Sequence, residues 1–269
     1  MIFQSLNDVL GEIWQNRTRM LRVAWFDIQI ENRKFYLGVL WKVISPLIQL
    51  SIFWFVFGIG IRGGAPVGEH PFFIWLLAGM VPWFYFNKGI SLGASSINRK
   101  QAIIFKIKYP LPTIPVGAIV TCVFDHIIML VLLIILYFIN GIYPTLYWLN
   151  LLYYTAFAFI FLCAVSLVLS VVMQLVKDTT RVLESLLRLL FFLTPILWQE
   201  YNIPEWARMI SSLNPIRYVV VGFRGSLLYG INFFERPLQM AIFWSMTAFI
   251  LFLGCYLQKK CSKRFVDWM

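Results

Sequence analysis

Few side chains in this sequence are arranged in a way that could carry out a reaction. Its two histidines, His70 and His126, are far apart, and no serine lies in a nucleophile-elbow pattern. Gly63 and Gly68 have the glycine spacing of a phosphate-binding loop, but Glu69 and His70 stand where that loop needs Lys and Ser or Thr. The sequence therefore predicts no catalytic site, metal site or bound cofactor in this chain.

Two charged residues, Lys88 and Asp125, lie deep within long apolar stretches. A charge near the bilayer centre costs at least about 2.5–3.5 kcal/mol on insertion scales, so such residues usually face a bundle interior or an aqueous path. One interpretation is that they line a polar path through the protein. The other is that Lys88 and Asp125 pair with each other and hold two helices together.

A cluster of basic residues lies among tryptophans and phenylalanines near the N-terminus. Guanidinium groups suit phosphate oxygens geometrically, so the cluster could bind a phosphate group. The bias of positive residues toward the cytoplasmic side would place them there as well. The cluster consists of Arg17, Arg19, Arg22, Arg33 and Lys34.

The composition predicts a membrane protein. Of the 269 residues, 60% are hydrophobic and only 13% are charged, and a soluble domain of this size cannot bury that much apolar surface. The net charge of +11 could suggest nucleic acid, but Lys and Arg cluster at the ends of the apolar runs. This distribution argues against a nucleic-acid partner and follows the positive-inside rule.

The pattern of apolar stretches predicts an all-α polytopic fold with both termini in the cytoplasm. Residues 1–35 read as an amphipathic helix in the headgroup layer, or as a soluble helix packed on a partner. Two short apolar helices, at 203–230, read as a re-entrant hairpin between the fifth and sixth spans, with a seventh span as the alternative. The six predicted spans are 37–60, 72–96, 114–139, 149–175, 183–199 and 237–257.

Several blocks of sequence, in their order and spacing, resemble the permeases of ABC exporters for O-antigen, capsule and teichoic acid. The resemblance extends from about residue 22 to residue 258. The blocks are WFDI at 25–28, LGVLW at 37–41, SPL at 45–47, LAGMVPWF at 77–84, GASSI at 93–97, KIKYP at 106–110, KDT at 177–179, TPI at 194–196, NP at 214–215 and Arg224. Glu31 and Asn32 depart from the family, which usually has a basic and an aromatic residue there.

The resemblance implies a permease that moves a polyprenyl-pyrophosphate-linked polymer from the cytoplasm to the outer face of a bacterial plasma membrane. Two copies would pair, and each would bind one ATPase subunit that holds ATP and Mg. A homodimer also suits the size of the chain, because six helices are few for a polymer channel. The interfacial helix would act as a gate for the lipid, and the basic cluster would bind its pyrophosphate at the point of entry. Trp54 and Phe57 would line the channel with Lys88 and Asp125, because aromatic rings suit sugar faces. The alternative is that these two rings pack or face lipid. Residues 98–109 would form the coupling helix, through Asn98, Arg99, Lys100, Lys106, Lys108 and Tyr109. The hairpin would cap the exit, through Pro195, Asn214, Pro215 and Arg224.

Two other classes of protein fit the sequence less well. An ion-driven secondary transporter predicts related halves with interrupted helices in matching positions, and the interrupted segment 200–236 has no counterpart near 60–75. A membrane-embedded glycosyltransferase needs clustered acidic or metal-binding residues at a membrane face. Among polymers, the overall likeness favours wall teichoic acid and hence a Gram-positive membrane, with O-antigen or capsular polysaccharide as the runner-up.

Overall fold

The computed structural model describes residues 2–101, 109–176, 178–200 and 203–267. Within these ranges the chain is helical with connecting turns and has no strand, apart from one isolated bridge between Val67 and His70. The all-α prediction is confirmed. The helices are α1 Ile2–Gln15, α2 Arg17–Arg33, α3 Trp41–Phe53, α4 Phe72–Arg99, α5 Thr113–Ile139, α6 Asn150–Leu175, α7 Thr179–Leu193, α8 Glu205–Ser212, α9 Pro215–Leu228 and α10 Pro237–Asp267.

Four described helical segments are long and apolar enough to cross a membrane. They are Gly38–Ile61, Thr113–Ile139, Leu146–Leu175 and Pro237–Cys261. The first includes a short 3₁₀ turn before α3 and a π-helical stretch, Trp54–Ile61, after it. These segments coincide with the predicted first, third, fourth and sixth spans, and together they indicate a multi-pass membrane protein. The count of six spans and the orientation of the termini stay predictions.

Helix α4 takes the central position in the bundle, and most of its side chains are buried by other helices. Its contact with α6 is close because glycines lie between the two helices. A Cβ atom on Gly89 would come within 2.8 Å of Leu162, and one on Gly93 within 2.5 Å of Ser166. Small residues of this kind let helix backbones approach in membrane bundles. The bundle is therefore built around the predicted second span.

The helix in the region of the predicted fifth span, 183–199, begins and ends earlier in the chain than that span. Helix α7 begins at Thr179 and ends at Leu193, and Thr194 takes an extended conformation with ψ 136°. Pro195 explains the break, because a proline disfavours the α conformation of the residue before it. The 15 residues of α7 rise about 22 Å, which is less than the roughly 30 Å of a hydrocarbon core.

The segment 203–230 forms two short helices, α8 and α9, joined by a tight turn, as the sequence predicted. Asn214 caps α9 by accepting a hydrogen bond of 2.9 Å from the Ile216 backbone N–H, and Pro215 occupies the first turn. Pro suits this position because its missing N–H would have no helical partner there. Helix α9 is largely buried, and α8 is largely exposed. The placement of the hairpin within a membrane stays a prediction.

The N-terminal helices pack along the bundle. Met20, Ala24 and Ile28 recur every four residues and form the buried face of α2, which lies against α5. Its opposite face exposes Trp25 and Phe26. The two interpretations of this region are therefore compatible, because one face packs on protein while the other presents aromatic rings that suit a headgroup layer.

Candidate transport site

A cavity of about 540 Å³ lies between α2, α3, α4 and α5. Its walls combine aromatic side chains with charged and amide groups. Such a mixture is typical of ligand sites, in which apolar walls surround a few placed polar groups. The lining includes Glu31, Trp41, Lys42, Tyr85, Lys88 and Asp125.

Two lysines and two carboxylates form a closed cluster at this cavity. The Lys42 Nζ lies 2.5 Å from Asp125 Oδ1 and 3.3 Å from Glu31 Oε2. The Lys88 Nζ lies 2.5 Å from Asp125 Oδ2 and 2.9 Å from Glu31 Oε1. Each ammonium group therefore contacts both carboxylates. Lys88 and Asp125 therefore pair with each other and also line the cavity. Their place in a transport channel stays a prediction.

Sequence reasoning missed Lys42 and Glu31 as members of this cluster. Lys42 lies 83 residues before Asp125 in the chain, so no local pattern connects them. One signal was present: Lys42 is a charge within a predicted apolar span, like Lys88. Glu31 stood out only as a departure from the family pattern.

The Glu31 carboxylate is ionised at neutral pH. Burial raises the pKa of this carboxyl, but the hydrogen bond and charge of Lys88, followed by those of Lys42, lower the pKa below its ordinary value overall. A carboxyl with a lowered folded-state pKa stabilises the fold above its unfolded pKa and loses that contribution as the pH falls through the folded pKa. At neutral pH, Glu31 therefore ties the end of α2 to α3 and α4.

Two buried side chains present further polar atoms at the cavity. Tyr85 and His126 are 3% and 2% exposed, and their rings stack with centroids 4.5 Å apart. His126 Nε2 lies 3.2 Å from Thr155 Oγ1. The Tyr85 hydroxyl and His126 Nδ1 have no hydrogen-bond partner within the part of the chain that the structure describes. The cavity therefore contains, besides its four charged groups, two buried polar atoms that are free to hydrogen-bond to a bound molecule.

Trp54 and Phe57, predicted to line the channel with Lys88 and Asp125, do not lie at this cavity. Trp54 packs edge-on against Phe73, with centroids 6.2 Å apart, and Phe57 lies beside Phe53. Their position follows from helix geometry, because 12 residues separate Lys42 from Trp54, which is about 18 Å along a helix. Their role in lining a channel stays a prediction.

The predicted lipid-pyrophosphate residues lie on the surface of α2 and just beyond its end. Arg17, Arg19, Arg22, Arg33 and Lys34 are all exposed. The Arg17 guanidinium lies 4.6 Å from the centre of the Trp14 ring. Arg33 and Lys34 follow Glu31 closely in the chain, so they lie near the cavity. Their proposed role in binding phosphate stays a prediction.

The predicted coupling segment is described only at its two ends. Asn98 contacts Gln174 of α6 by a side-chain hydrogen bond, and Arg99 is the last residue of α4. Lys100 forms an ion pair with Asp27 of α2, and Tyr109 lies beyond the gap. Lys106 and Lys108 fall outside the described residues. The described part thus links α4, α6 and α2 at one end of the bundle.

Arg224 of α9 holds the break after α7 in place. It is 5% exposed, and its Nε donates to the Trp75 carbonyl at 3.1 Å while Nη2 donates to the Ile196 carbonyl at 2.6 Å. Its Nη1 donates to the Pro195 carbonyl. Gly79 makes room for the guanidinium, because a Cβ atom there would lie 2.4 Å from Nη2. Two of the residues predicted to form an exit cap, Pro195 and Arg224, are therefore in direct contact.

Asn214 connects the same region from the other side. Its Nδ2 donates to Thr194 Oγ1 at 2.7 Å, directly before Pro195. Arg217 of α9 also pairs with Glu200, with Nη2 donating to Oε2 at 2.8 Å. These contacts bring Pro195, Asn214, Pro215 and Arg224 together around the start of the hairpin. Their role as an exit cap stays a prediction.

Comparison with known proteins supports a transporter. The chain is 25% identical over 218 residues to the O-antigen export system permease protein RfbA of Myxococcus xanthus, covering 80% of this chain and 82% of that protein. It is 24% identical over 242 residues to the protein of the same name from Klebsiella pneumoniae, covering 90% and 91%. It is 24% identical over 236 residues to the polysialic acid transport protein KpsM of Escherichia coli, covering 87% and 89%.

A family model defines the assignment more firmly than these individual relatives. The model of the ABC-2 type transporter matches residues 20–228, which include most of α2, helices α3 to α9 and all four charges of the cavity. The match and the four long apolar helices agree on a membrane permease. The chain belongs to the ABC-2 type transporter family.

Proposed function

We propose that this chain is the membrane-spanning permease of an ATP-driven exporter that moves a lipid-linked O-antigen or capsular polysaccharide across a bacterial plasma membrane. The observation that carries this proposal is the likeness, over most of their length, to two O-antigen export permeases and a polysialic acid transport protein. These relatives favour the runner-up polymer over wall teichoic acid, which the overall likeness of the sequence had favoured and which none of the three names.

The cavity supports a polar substrate. A glycan cannot cross hydrocarbon without a path that offers hydrogen bonds. The cavity holds four charged side chains and, on Asn32, Tyr85 and His126, three buried polar atoms with no partner among the described residues. Trp41 and other aromatic side chains in the same wall supply apolar faces against which sugar rings can pack. An ion-driven mechanism has no comparable support from the relatives.

The remaining parts of the proposal concern partners. Two copies of the chain would form the channel, and each would bind one cytoplasmic ATPase subunit that holds ATP and Mg. The segment Gly38–Ile61 supports a second copy, because only 11% of its apolar window is buried within one chain. Lipid or another protomer must cover this surface.

An export assay tests the proposed function. In cells lacking this chain, we expect the surface polysaccharide to disappear and its lipid-linked precursor to accumulate in the cytoplasm, and plasmid-borne expression should restore both. Surface staining and electrophoresis of the extracted polymer measure the outcome. Restoration of a glycerol- or ribitol-phosphate polymer instead would return the assignment to teichoic acid. Normal export without the chain would overturn the proposal.

The coupling segment gives the first mutational prediction. Reversing two charges, with Lys106→Glu and Lys108→Glu, should reduce co-purification of the ATPase at least about tenfold, since each lost charge-assisted contact is worth about 1.5–3 kcal/mol. The measurement is the ratio of ATPase to permease after affinity purification from membranes. Lys263→Glu with Arg264→Glu changes the same charge in the C-terminal tail and should leave that ratio unaltered. Equal recovery of the ATPase by both variants would contradict the role of 98–109.

The basic cluster of α2 gives a second prediction. Replacing Arg17, Arg19, Arg22, Arg33 and Lys34 with glutamine should lower export roughly tenfold or more, because phosphate loses its charge-assisted donors. Membrane insertion should stay normal, since the apolar helices are unchanged. Surface polymer per inserted permease is the quantity to compare. Unchanged export would mean that the cluster serves only to orient the chain in the membrane.

A further inference from the structure

The two carboxylates of the charge cluster differ in how deeply they are buried. The Asp125 side chain is 15% exposed and the Lys42 side chain 10%, whereas the Glu31 side chain is 45% exposed. Asp125 lies in the middle of α5, inside the bundle. Glu31 lies near the end of α2, and no residue from 29 to 37 is buried. Moving Glu31 away therefore disturbs much less of the protein than moving Asp125 would.

Without Glu31, the remaining three charges would form an anion site. Lys42 and Lys88 together carry two positive charges, of which Asp125 balances one. The two ammonium groups are close enough for one carboxylate to bridge them, as Glu31 does at 2.9 Å and 3.3 Å. The oxygens of a phosphate group can bridge two such donors in the same way, and lysine is a common phosphate ligand.

The buried polar atoms around the cluster point independently to a ligand. The Tyr85 hydroxyl and His126 Nδ1 belong to side chains that are almost fully buried, and neither has a partner among the described residues. Asn32, a partly buried residue in the same wall, has a third buried atom, Oδ1, without a partner among the described residues. Buried polar groups normally have hydrogen-bond partners. Glu31 satisfies the lysines but none of these three atoms.

The cavity has room for a larger group than the Glu31 carboxylate. Its volume of about 540 Å³ falls in the range of small-molecule sites, about 300–1,000 Å³. Phe35, in its wall, directly follows the exposed Arg33 and Lys34. An anion collected at that surface would therefore lie close to the two lysines.

We infer that Lys42 and Lys88 bind a phosphate group of the transported glycolipid, and that the Glu31 carboxylate occupies this site as an internal substitute until the phosphate displaces it. The identity of the phosphate donor rests on the proposed function. Displacement of Glu31 also removes the ion pairs that tie the end of α2 to α3 and α4, so phosphate binding and movement of α2 are coupled.

A binding measurement on the full chain tests this inference. The chain, reconstituted in phosphatidylcholine nanodiscs, is titrated with farnesyl diphosphate by calorimetry. Glu31→Gln removes the competing charge and should tighten binding about tenfold, as expected if Glu31 fills the site about nine-tenths of the time. Lys88→Gln leaves the Lys42–Asp125 pair intact and should weaken binding at least tenfold. Asp27→Asn is the matched control, because it removes another ion pair of α2, with Lys100, outside the cavity.

The outcomes separate the inference from simpler explanations. If Glu31 only fastens α2, Glu31→Gln and Asp27→Asn will bind farnesyl diphosphate alike, and the inference fails. Inorganic diphosphate should compete with farnesyl diphosphate and farnesol should not, since the phosphate is the recognised group. Loss of binding in discs that contain phosphatidylglycerol would assign the site to a lipid headgroup and overturn the substrate assignment.

A distance measurement tests the coupled movement of α2. Spin labels at Ile30→Cys on α2 and Ser91→Cys on α4 occupy exposed positions, and the native cysteines are buried. Farnesyl diphosphate should lengthen or broaden the distance between the labels, and Glu31→Gln should do so without ligand. An unchanged distance would contradict the displacement. Neither assay needs the ATPase or export, so failure here leaves the proposed function standing, and failed export complementation leaves the two-lysine site standing.

Discussion

Arg224→Ala is expected to destabilise the protein by roughly 3–5 kcal/mol, because three buried carbonyl groups lose their donor at once. These are the carbonyls of Trp75, Pro195 and Ile196. The guanidinium also lies 3.4 Å from the centre of the Trp75 ring, so a cation–π contact is lost as well. The shift of the thermal unfolding midpoint in detergent, relative to wild type, measures the effect.

Three companion variants define the cause of that loss. Arg208→Ala removes an exposed arginine from α8 and should leave the midpoint nearly unchanged. Arg224→Lys keeps the charge but lacks the planar fork that reaches several acceptors, so it should fall between wild type and Arg224→Ala. Gly79→Ala should also destabilise, because its new Cβ would lie 2.4 Å from Nη2. A stable Gly79→Ala protein, or equal midpoints for Arg208→Ala and Arg224→Ala, would contradict this account.

Asp125→Asn is expected to cost about 3 kcal/mol of stability and most of the export activity. The change leaves Lys42 and Lys88 adjacent in the cavity with Glu31 as their remaining carboxylate partner. Breaking a largely buried ion pair by removing one partner leaves an uncompensated charge, which is more costly than replacing both partners. The unfolding midpoint and the surface polymer per inserted permease check the two expectations.

The double variant Asp125→Asn with Lys88→Gln separates charge imbalance from general damage at the site. Removing both partners restores the balance between Lys42 and Glu31, so the double variant should be more stable than Asp125→Asn alone. Asp178→Asn makes the same chemical change at an exposed position and should have little effect. If the two losses simply add, Lys88 and Asp125 do not stabilise each other, and the contact has no energetic role.

The local sequence pattern determined much of the fold. Apolar windows and helical periodicity are properties of neighbouring residues, so they predicted the segments that became α3, α5, α6 and α10 and the short helices of the hairpin. The end of α7 at Leu193 could also have been predicted, because the effect of Pro195 on the preceding residues depends only on neighbours in the sequence. The prediction of 183–199 instead followed the apolar run past Pro195.

The sequence alone identified only two of the four charged residues of the candidate site. The cost of placing Lys88 and Asp125 in apolar helices marked them as functional or paired, whatever surrounds them. Lys42 gave a weaker signal, because a lysine near the end of a span is common in membrane proteins. Glu31 gave none of this kind, because an acidic residue is also common on an amphipathic helix. Trp54 and Phe57 were assigned to the channel on residue type alone, and residue type does not determine which way a helix faces.

The sequence by itself determined that this chain is a multi-pass helical membrane protein with buried charges and the pattern of a polysaccharide permease. The tertiary structure alone decided that Glu31, Lys42, Lys88 and Asp125 share one cavity, and that Arg224 joins Trp75 to Ile196. The physical reason is the separation, along the sequence, of the residues that come into contact. Helix formation depends on residues a few positions apart, whereas these contacts join residues up to 149 positions apart and exist only once the helices have packed.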